Sequence, residues 1–304
     1  MPRSSRVVVV IGPTASGKSD LAVELCLRTG GEVVNTDSVQ LYRGMDVGAA
    51  KVTPEERRGV PHHLLDVWDV TVEASVATFQ TLARAAVTEV SAKGAVPVLT
   101  GGSSLYVRAV IDELDFPGTD PALRARWRRA LEERGPEALH AELAAVDPAA
   151  AAQILPTNGR RIVRALEVSE LTGQPFKATM PPFESIYPEV SMIGLDVPRD
   201  VLDERIVRRV DRMWDDGLVE EVRRLSADGL AGSPTASRAL GYQQVLAFLA
   251  GECTEDEARA ETVRGTRAFA RRQERLFRKD PRIHWLRYDD PALVDDALQV
   301  VTSP

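Results

Sequence analysis

Val7-Val8-Val9-Val10-Ile11 is an unbroken run of β-branched residues. With no polar alternation, it predicts a strand buried on both faces. A glycine-rich turn follows, and Asp20-Leu21-Ala22-Val23-Glu24-Leu25 then takes up helical spacing. Residues 31–39 predict a second strand that ends in a polar turn containing Asp37 and Ser38. Pro61-His62-His63-Leu64-Leu65-Asp66-Val67-Trp68 reads as another strand or the approach to one. Residues 73–93 bring Val76, Phe79, Leu82, Ala83, Ala86, Val87 and Val90 to one helical face, closed by Lys93-Gly94. Ala95-Val96-Pro97-Val98-Leu99-Thr100 predicts a further buried strand and runs into Gly101-Gly102-Ser103-Ser104-Leu105-Tyr106.

The pattern then changes. Residues 114–185 are helical and rich in arginine, with helices over 121–134, 136–146 and 158–171 and no strand pattern between them. Arg124, Arg126, Arg128 and Arg129 crowd one helix; Arg160, Arg161 and Arg164 crowd another. Met180-Pro181-Pro182-Phe183 marks the exit. Strand spacing returns over residues 190–197. A long helical region over 199–225 carries Arg205, Arg208, Arg209 and Arg212. Gly241-Tyr242 interrupts a helical stretch, residues 258–279 form a long basic helix, and His284-Trp285-Leu286 is a last short strand.

Gly12-Pro13-Thr14-Ala15-Ser16-Gly17-Lys18-Ser19 matches the phosphate-binding loop G-x-x-x-x-G-K-[ST] between a strand and a helix. Its glycines let backbone N–H groups curl around an anion, and the helix start adds unpaired N–H groups and a positive dipole end. Lys18 brings a mobile charge, and the Ser19 hydroxyl can ligate Mg²⁺. The chain is therefore expected to hold a di- or triphosphate. The fold class expected is α/β, a parallel-sheet core of the phosphate-loop NTPase type. Core segments at 1–113 and 186–304 would flank an arginine-rich, all-helical insertion at 114–185. Many phosphate-loop ATPases end a neighbouring strand in an Asp that helps hold Mg²⁺. Here the matching place reads Thr100-Gly101-Gly102, which argues against an ordinary ATPase.

Composition narrows the partners. The 304 residues are 44% hydrophobic and 27% charged, and no apolar run approaches the ~20 residues of a membrane span. The basic start Met1-Pro2-Arg3-Ser4-Ser5-Arg6 leads straight into a strand, so no membrane partner and a cytoplasmic location are expected. Cys26, Cys253 and four scattered histidines offer no zinc spacing, and His62-His63 reads as structural. The net charge of −7 argues against a general nucleic-acid coat. Between Arg264 and Arg282, however, eight basic residues face only Glu274 and Asp280. With the arginines of the insertion, that stretch points to a localised polyanion, best a folded RNA recognised by shape. Asp37, expected close to the phosphate loop, is a candidate general base; capping a turn or holding Mg²⁺ through water is the alternative. Tyr106 and Tyr242 are candidates for lining a cavity, with packing as the plainer reading.

Taken in order, these motifs resemble the bacterial tRNA dimethylallyltransferases over nearly the whole length. Beside the loop of residues 12–19, Asp37-Ser38-Val39-Gln40-Leu41-Tyr42-Arg43-Gly44-Met45-Asp46-Val47-Gly48 is similar to D-S-x-Q-x-Y-x-G-M-D-I-G. Gly101 to Tyr106 is similar to G-G-T-x-L-Y, and Arg161 to Glu167 to R-x-x-R-A-L-E. Gly241-Tyr242-Gln243-Gln244 and the Thr266-Arg267…Arg271-Arg272-Gln273 stretch complete the series. The resemblance implies transfer of a dimethylallyl group from its diphosphate to N6 of the adenosine immediately 3′ of the anticodon. The tRNAs concerned read codons beginning with U. It implies Asp37 as general base, and Gly12 to Ser19 with Arg209 as the diphosphate cradle. Mg²⁺ on Ser19 would be the cofactor. It further implies that Asp37, Ser38, Val39, Gln40, Ser103, Arg124, Arg160, Arg161, Arg164, Arg238, Gly241, Tyr242, Gln243, Arg271, Arg272, Gln273, Arg275 and Arg278 contact the anticodon stem-loop. A monomer is expected. Ser103 stands where Thr is usual and keeps the hydroxyl; Glu274-Arg275-Leu276-Phe277-Arg278 departs from x-T-W-x-R. The competing readings are an adenylate isopentenyltransferase using free AMP or ADP, a small-molecule kinase, and a non-catalytic RNA-binding protein.

Overall fold

A computed structural model describes residues 6–177 and 180–303. The basic stretch 1–5, called out above, lies outside the described residues. The chain divides into two compact units: a core of Met1–Asp112 with Ser185–Pro304, and an inserted unit of Glu113–Glu184. The borders at 114 and 185 read from the sequence lie one residue further along.

Six parallel strands form the core sheet: β1 (Arg6–Ile11), β2 (Gly31–Asn35), β3 (His62–His63), β4 (Val96–Gly101), β5 (Glu189–Asp196) and β6 (Ile283–Arg287), in the order β3-β2-β4-β1-β5-β6. Because both faces are covered, the valine run needs no alternation. Val8 and Val10 pack on Leu21, Ala22 and Leu25 of α1 (Lys18–Thr29) and on Ala297 and Val301 of α11 (Leu293–Thr302). Val7, Val9 and Ile11 pack on Phe79, Ala83, Val87 and Val90 of α2 (Val76–Ala92). Every loop that carries chemistry leaves the carboxyl end of this sheet, where open α/β sheets bind ligands.

Several boundaries differ from the sequence reading. β2 stops at Asn35 rather than at residue 39, because the Asn35 side chain captures the backbone of Asp37 and turns the chain out of the ladder. Of residues 61–68, read as a strand or the approach to one, only His62–His63 form a strand. Asp216-Gly217 divides the helix expected over 199–225 into α7 (Arg199–Asp215) and α8 (Leu218–Ala227); Gly217 has φ 92°, open to a residue without Cβ. Gly241 does not interrupt a helix but opens α9 (Tyr242–Leu249). The basic helix, α10 (Glu255–Phe277), starts three residues early because Thr254 and Glu257 form a capping box. The terminal helix α11 was absent from the sequence reading.

The inserted unit is helical among its described residues: α4 (Pro121–Val146), α5 (Pro148–Gln153) and α6 (Gly159–Thr172). Gly135, at φ 78° and ψ 166°, breaks α4 at the point expected from Gly135-Pro136. Leu139, Leu143, Ile154, Ile162 and Leu166 form this unit's own core. The short helix α3 (Ser104–Ile111) of the core unit begins at Ser103, whose Oγ caps the helix by accepting from Tyr106 N–H.

Candidate active site

The loop of residues 12–19 is shaped by two left-handed residues, Ala15 (φ 65°) and Gly17 (φ 94°). Alternating handedness turns successive N–H groups to one side, making a nest for an anion. For Ala15 this conformation costs ~1–2 kcal/mol. Two of the loop's donors are used internally: Ser16 N–H donates to Pro13 O at 3.3 Å, and Thr14 N–H donates to Gln273 Oε1 at 2.9 Å. The N–H groups of Ala15, Gly17, Lys18 and Ser19 have no partner among the described residues. The last two open α1 and add its dipole.

Cations gather here, with the Asp37 carboxylate beside them. The Lys18 ammonium lies over the loop, 3.4 Å from Pro13 O. Burial and the nearby Arg209 guanidinium push its pKa down to about 8, against the pull of the Asp37 carboxylate. Arg209, half-buried on α7, is lowered by burial and by Arg212, again opposed by Asp37. Lys18, Arg209 and Asp37 therefore share one electrostatic site. Arg205, one turn before Arg209, donates to Ser16 O at 3.3 Å and stacks on the Tyr288 ring at 4.4 Å.

Asp37 is held by a template that the sequence reading missed. Buried Asn35 accepts from Asp37 N–H at 2.9 Å and donates to Asp37 O and to Leu64 O, each at 3.0 Å. Asp37 Oδ1 accepts from Val39 N–H at 2.9 Å, an Asx turn. The other carboxylate oxygen has no hydrogen bond among the described residues. The cap and base readings of Asp37 are thus compatible, one oxygen serving each. Gln40 folds back, donating to Ala49 O and Ala50 O at 3.2 and 3.3 Å. Ser38 and Val39 are half-buried beside it.

β4 is the direct neighbour of β1, with Ile11 opposite Gly101, so Thr100-Gly101-Gly102 does occupy the place of the strand-end Asp. The Ser16, Thr36 and Thr100 hydroxyls in this region are buried without hydrogen-bond partners. No group of three or more His, Cys, Asp or Glu able to hold a metal occurs among the described residues. The Ser19 hydroxyl, at the start of α1, fits an Mg²⁺ that arrives with a phosphorylated ligand.

Several residues assigned above to RNA contact are committed elsewhere. Tyr242 is fully buried and donates to Glu221 Oε1 at 2.6 Å, and Gly241 is buried beneath it, so both belong to the core. Gln273 is buried; it accepts from Thr14 and donates to Gly102 O at 2.8 Å, tying the phosphate loop to the glycine turn. Arg278 pairs with Asp196 and lies 3.8 Å over the Trp285 ring. Within the inserted unit, Arg124 and Arg164 share the fully buried Glu167, at 2.9 Å each, which joins α4 to α6. Arg160 and Arg161 at the start of α6 are exposed. In the core unit Arg238, Gln243, Arg271, Arg272 and Arg275 are exposed, and Ser103 is half-buried. The histidine pair is structural: His63 Nε2 lies 2.5 Å from Glu32, and His62 Nδ1 lies 2.9 Å from Val60 O. No described helix is long and apolar enough to cross a membrane.

Comparison with known proteins places the chain in a family. Residues 40–280 match the IPP transferase family model. The chain is 65% identical over 302 residues to the tRNA dimethylallyltransferase of Thermobifida fusca, covering 98% of this chain and 94% of that one. It is 66% identical over 285 residues to the tRNA dimethylallyltransferase of Streptomyces avermitilis, covering 94% and 91%. Among solved structures, the full-length tRNA isopentenylpyrophosphate transferase of Bacillus halodurans superposes with a TM-score of 0.72 at 39% identity, covering 98% of this chain and 95% of that one. With its parallel sheet and helical insertion, this chain belongs to the IPP transferase family.

Proposed function

We propose that this protein moves a dimethylallyl group from dimethylallyl diphosphate to N6 of the adenosine immediately 3′ of the anticodon, in tRNAs that read codons beginning with U. The observation that carries the reading is a cationic phosphate cradle, Lys18 with Arg209 and four free N–H groups, sharing one site with a carboxylate, Asp37. A kinase would use such a cradle to hold a phosphoryl donor. Here it suits a leaving group, since the neighbouring strand ends in Thr100-Gly101-Gly102.

In this reading the adenosine N6 attacks C1 of the dimethylallyl group. The N–C bond forms as the C–O bond to diphosphate breaks, and the N6 proton passes to the unengaged oxygen of Asp37. The Val39 N–H and the Asn35 template keep that carboxylate oriented. Negative charge builds on the departing diphosphate, where Lys18, Arg209 and the N–H groups of Ala15, Gly17, Lys18 and Ser19 are already aimed. The Ser19 hydroxyl would hold Mg²⁺, which would supply further charge neutralisation. The exposed Arg160, Arg161, Arg238, Arg271, Arg272 and Arg275 would grip the RNA backbone, giving affinity that falls with salt. The target base must leave the anticodon stack, at a cost of a few kcal/mol. The chain would act as a monomer in the cytoplasm, where its substrate is.

The test is transfer of radiolabelled dimethylallyl diphosphate to an unmodified anticodon stem-loop carrying adenosines at and after the third anticodon position. Replacing the target adenosine by guanosine should abolish labelling. Label on free AMP but none on the stem-loop would overturn the acceptor assignment.

A further inference from the structure

Glu221 lies in α8 among Leu218, Val222 and Leu225, a carboxylate in an otherwise apolar stripe, and is buried. Its oxygens are fully used. Oε2 accepts from Asp46 N–H and Val47 N–H at 2.9 and 2.8 Å. Oε1 accepts from Gly48 N–H at 3.2 Å and from the Tyr242 hydroxyl at 2.6 Å. Burying a carboxylate is costly unless its lone pairs are satisfied, and here three come from one turn of backbone. Gly48 admits the close approach: a Cβ there would stand 2.6 Å from the Tyr242 ring.

The clamped turn continues directly into the site. Ala49 and Ala50, the next two residues, accept both hydrogen bonds of the Gln40 amide. Gln40 in turn follows the Asx turn that orients Asp37. Lys51 closes the same loop, its buried ammonium donating to Tyr42 O and Asp46 at 2.7 Å each. None of these bonds touches residues 12–19. The loop of residues 37–51 is thus fastened independently of the diphosphate cradle.

We propose that Glu221, with Tyr242, is a positioning residue for the acceptor half of the reaction: it fixes the turn at residues 46–48, and through Gln40 the placement of Asp37 against the acceptor amine. The assignment rests on the proposed transfer reaction and adds a separation: Glu221 acts on acceptor turnover and not on donor binding.

Glu221→Gln tests this at nearly constant volume. An amide puts an NH₂ group against either Gly48 N–H or the Asp46 and Val47 N–H groups, so the turn loses at least one bond. Misplacement of a reacting group by about 1 Å costs ~10²-fold in rate. For Glu221→Gln the expected result is a loss approaching that size in kcat/KM for the stem-loop. The Kd for dimethylallyl diphosphate, read by calorimetry, should stay within about twofold. Tyr242→Phe keeps the three N–H bonds and should fall between the variant and wild type. A fall in donor affinity matching the fall in turnover would overturn the assignment, and so would turnover equal to wild type. If the wild-type protein itself transfers nothing to the stem-loop, the functional reading fails rather than this separation.

Discussion

Removing Lys18 should stabilise the free protein. Its pKa falls from 10.5 to about 8 because the ammonium is buried and faces Arg209. That fall is worth about 3 kcal/mol of cost to the folded state while the lysine is charged. The folded chain releases this proton near pH 8, whereas the unfolded chain keeps it to 10.5. Between those values the unfolded state binds more protons, so this term makes stability rise with pH. Below pH 8 the cost is fully present; above 10.5 it is gone. Lys18→Met removes it. At pH 7 the variant should therefore melt roughly 6 °C or more above wild type, and the gain should shrink toward zero by pH 10.5. The assay is scanning calorimetry in buffers free of phosphate and pyrophosphate, with paired runs at pH 7 and pH 10. Adding dimethylallyl diphosphate should raise the wild-type Tm more than the variant's, because the variant keeps Arg209 and the loop N–H groups but lacks the ammonium and binds the ligand more weakly. A variant no more stable than wild type at pH 7, or equally advantaged at both pH values, would refute the electrostatic reasoning.

Asp37→Asn should lower transfer by ~10²–10⁴-fold while the Kd values for donor and stem-loop stay near wild type; equal loss of binding and turnover would make Asp37 a binding group instead. Gly101→Ala would put a Cβ 2.7 Å from the Thr36 carbonyl carbon and 2.9 Å from its oxygen. Neither backbone atom can swing away, so a cost of about 1–3 kcal/mol is expected in urea melts, and a neutral substitution would count against so tight an approach. Glu167→Ala deprives Arg124 and Arg164 of their shared buried carboxylate, and unfolding of the inserted unit should become easier by about 1–3 kcal/mol. The reading of these two arginines as structural would be wrong if that variant kept its stability and lost only RNA affinity.

Much was legible in the chain alone because it is local. The phosphate loop needs a strand, a left-handed glycine and a helix start within about twenty residues, and residues 7–25 contain all three. The doubly covered sheet shows in its valine run, and the helical insertion in the loss of strand spacing after residue 113. Asp37 was found by its distance from a strand end. What sequence could not decide is which polar side chains are free to meet a ligand, since that depends on neighbours far along the chain. Arg124 and Arg164 read as RNA contacts from sequence, yet in the structure both pair with Glu167; Arg278 pairs with Asp196 and stacks on Trp285 while staying exposed, and Gln273 uses both ends of its amide on Thr14 and Gly102. Tyr242 carries the family motif, yet it is buried because Glu221, 21 residues earlier, needs its hydroxyl. A carboxylate in an apolar stripe, as at Glu221 and Glu167, was the one sequence signal that could have marked these contacts in advance. The Lys18 pKa likewise falls only once folding buries the ammonium and α7 brings Arg209 to the loop. Local sequence determines which groups are present and how the backbone presents them; tertiary packing determines which of their hydrogen bonds and charges remain unspent, because burial and long-range pairing exist only once the chain has closed on itself.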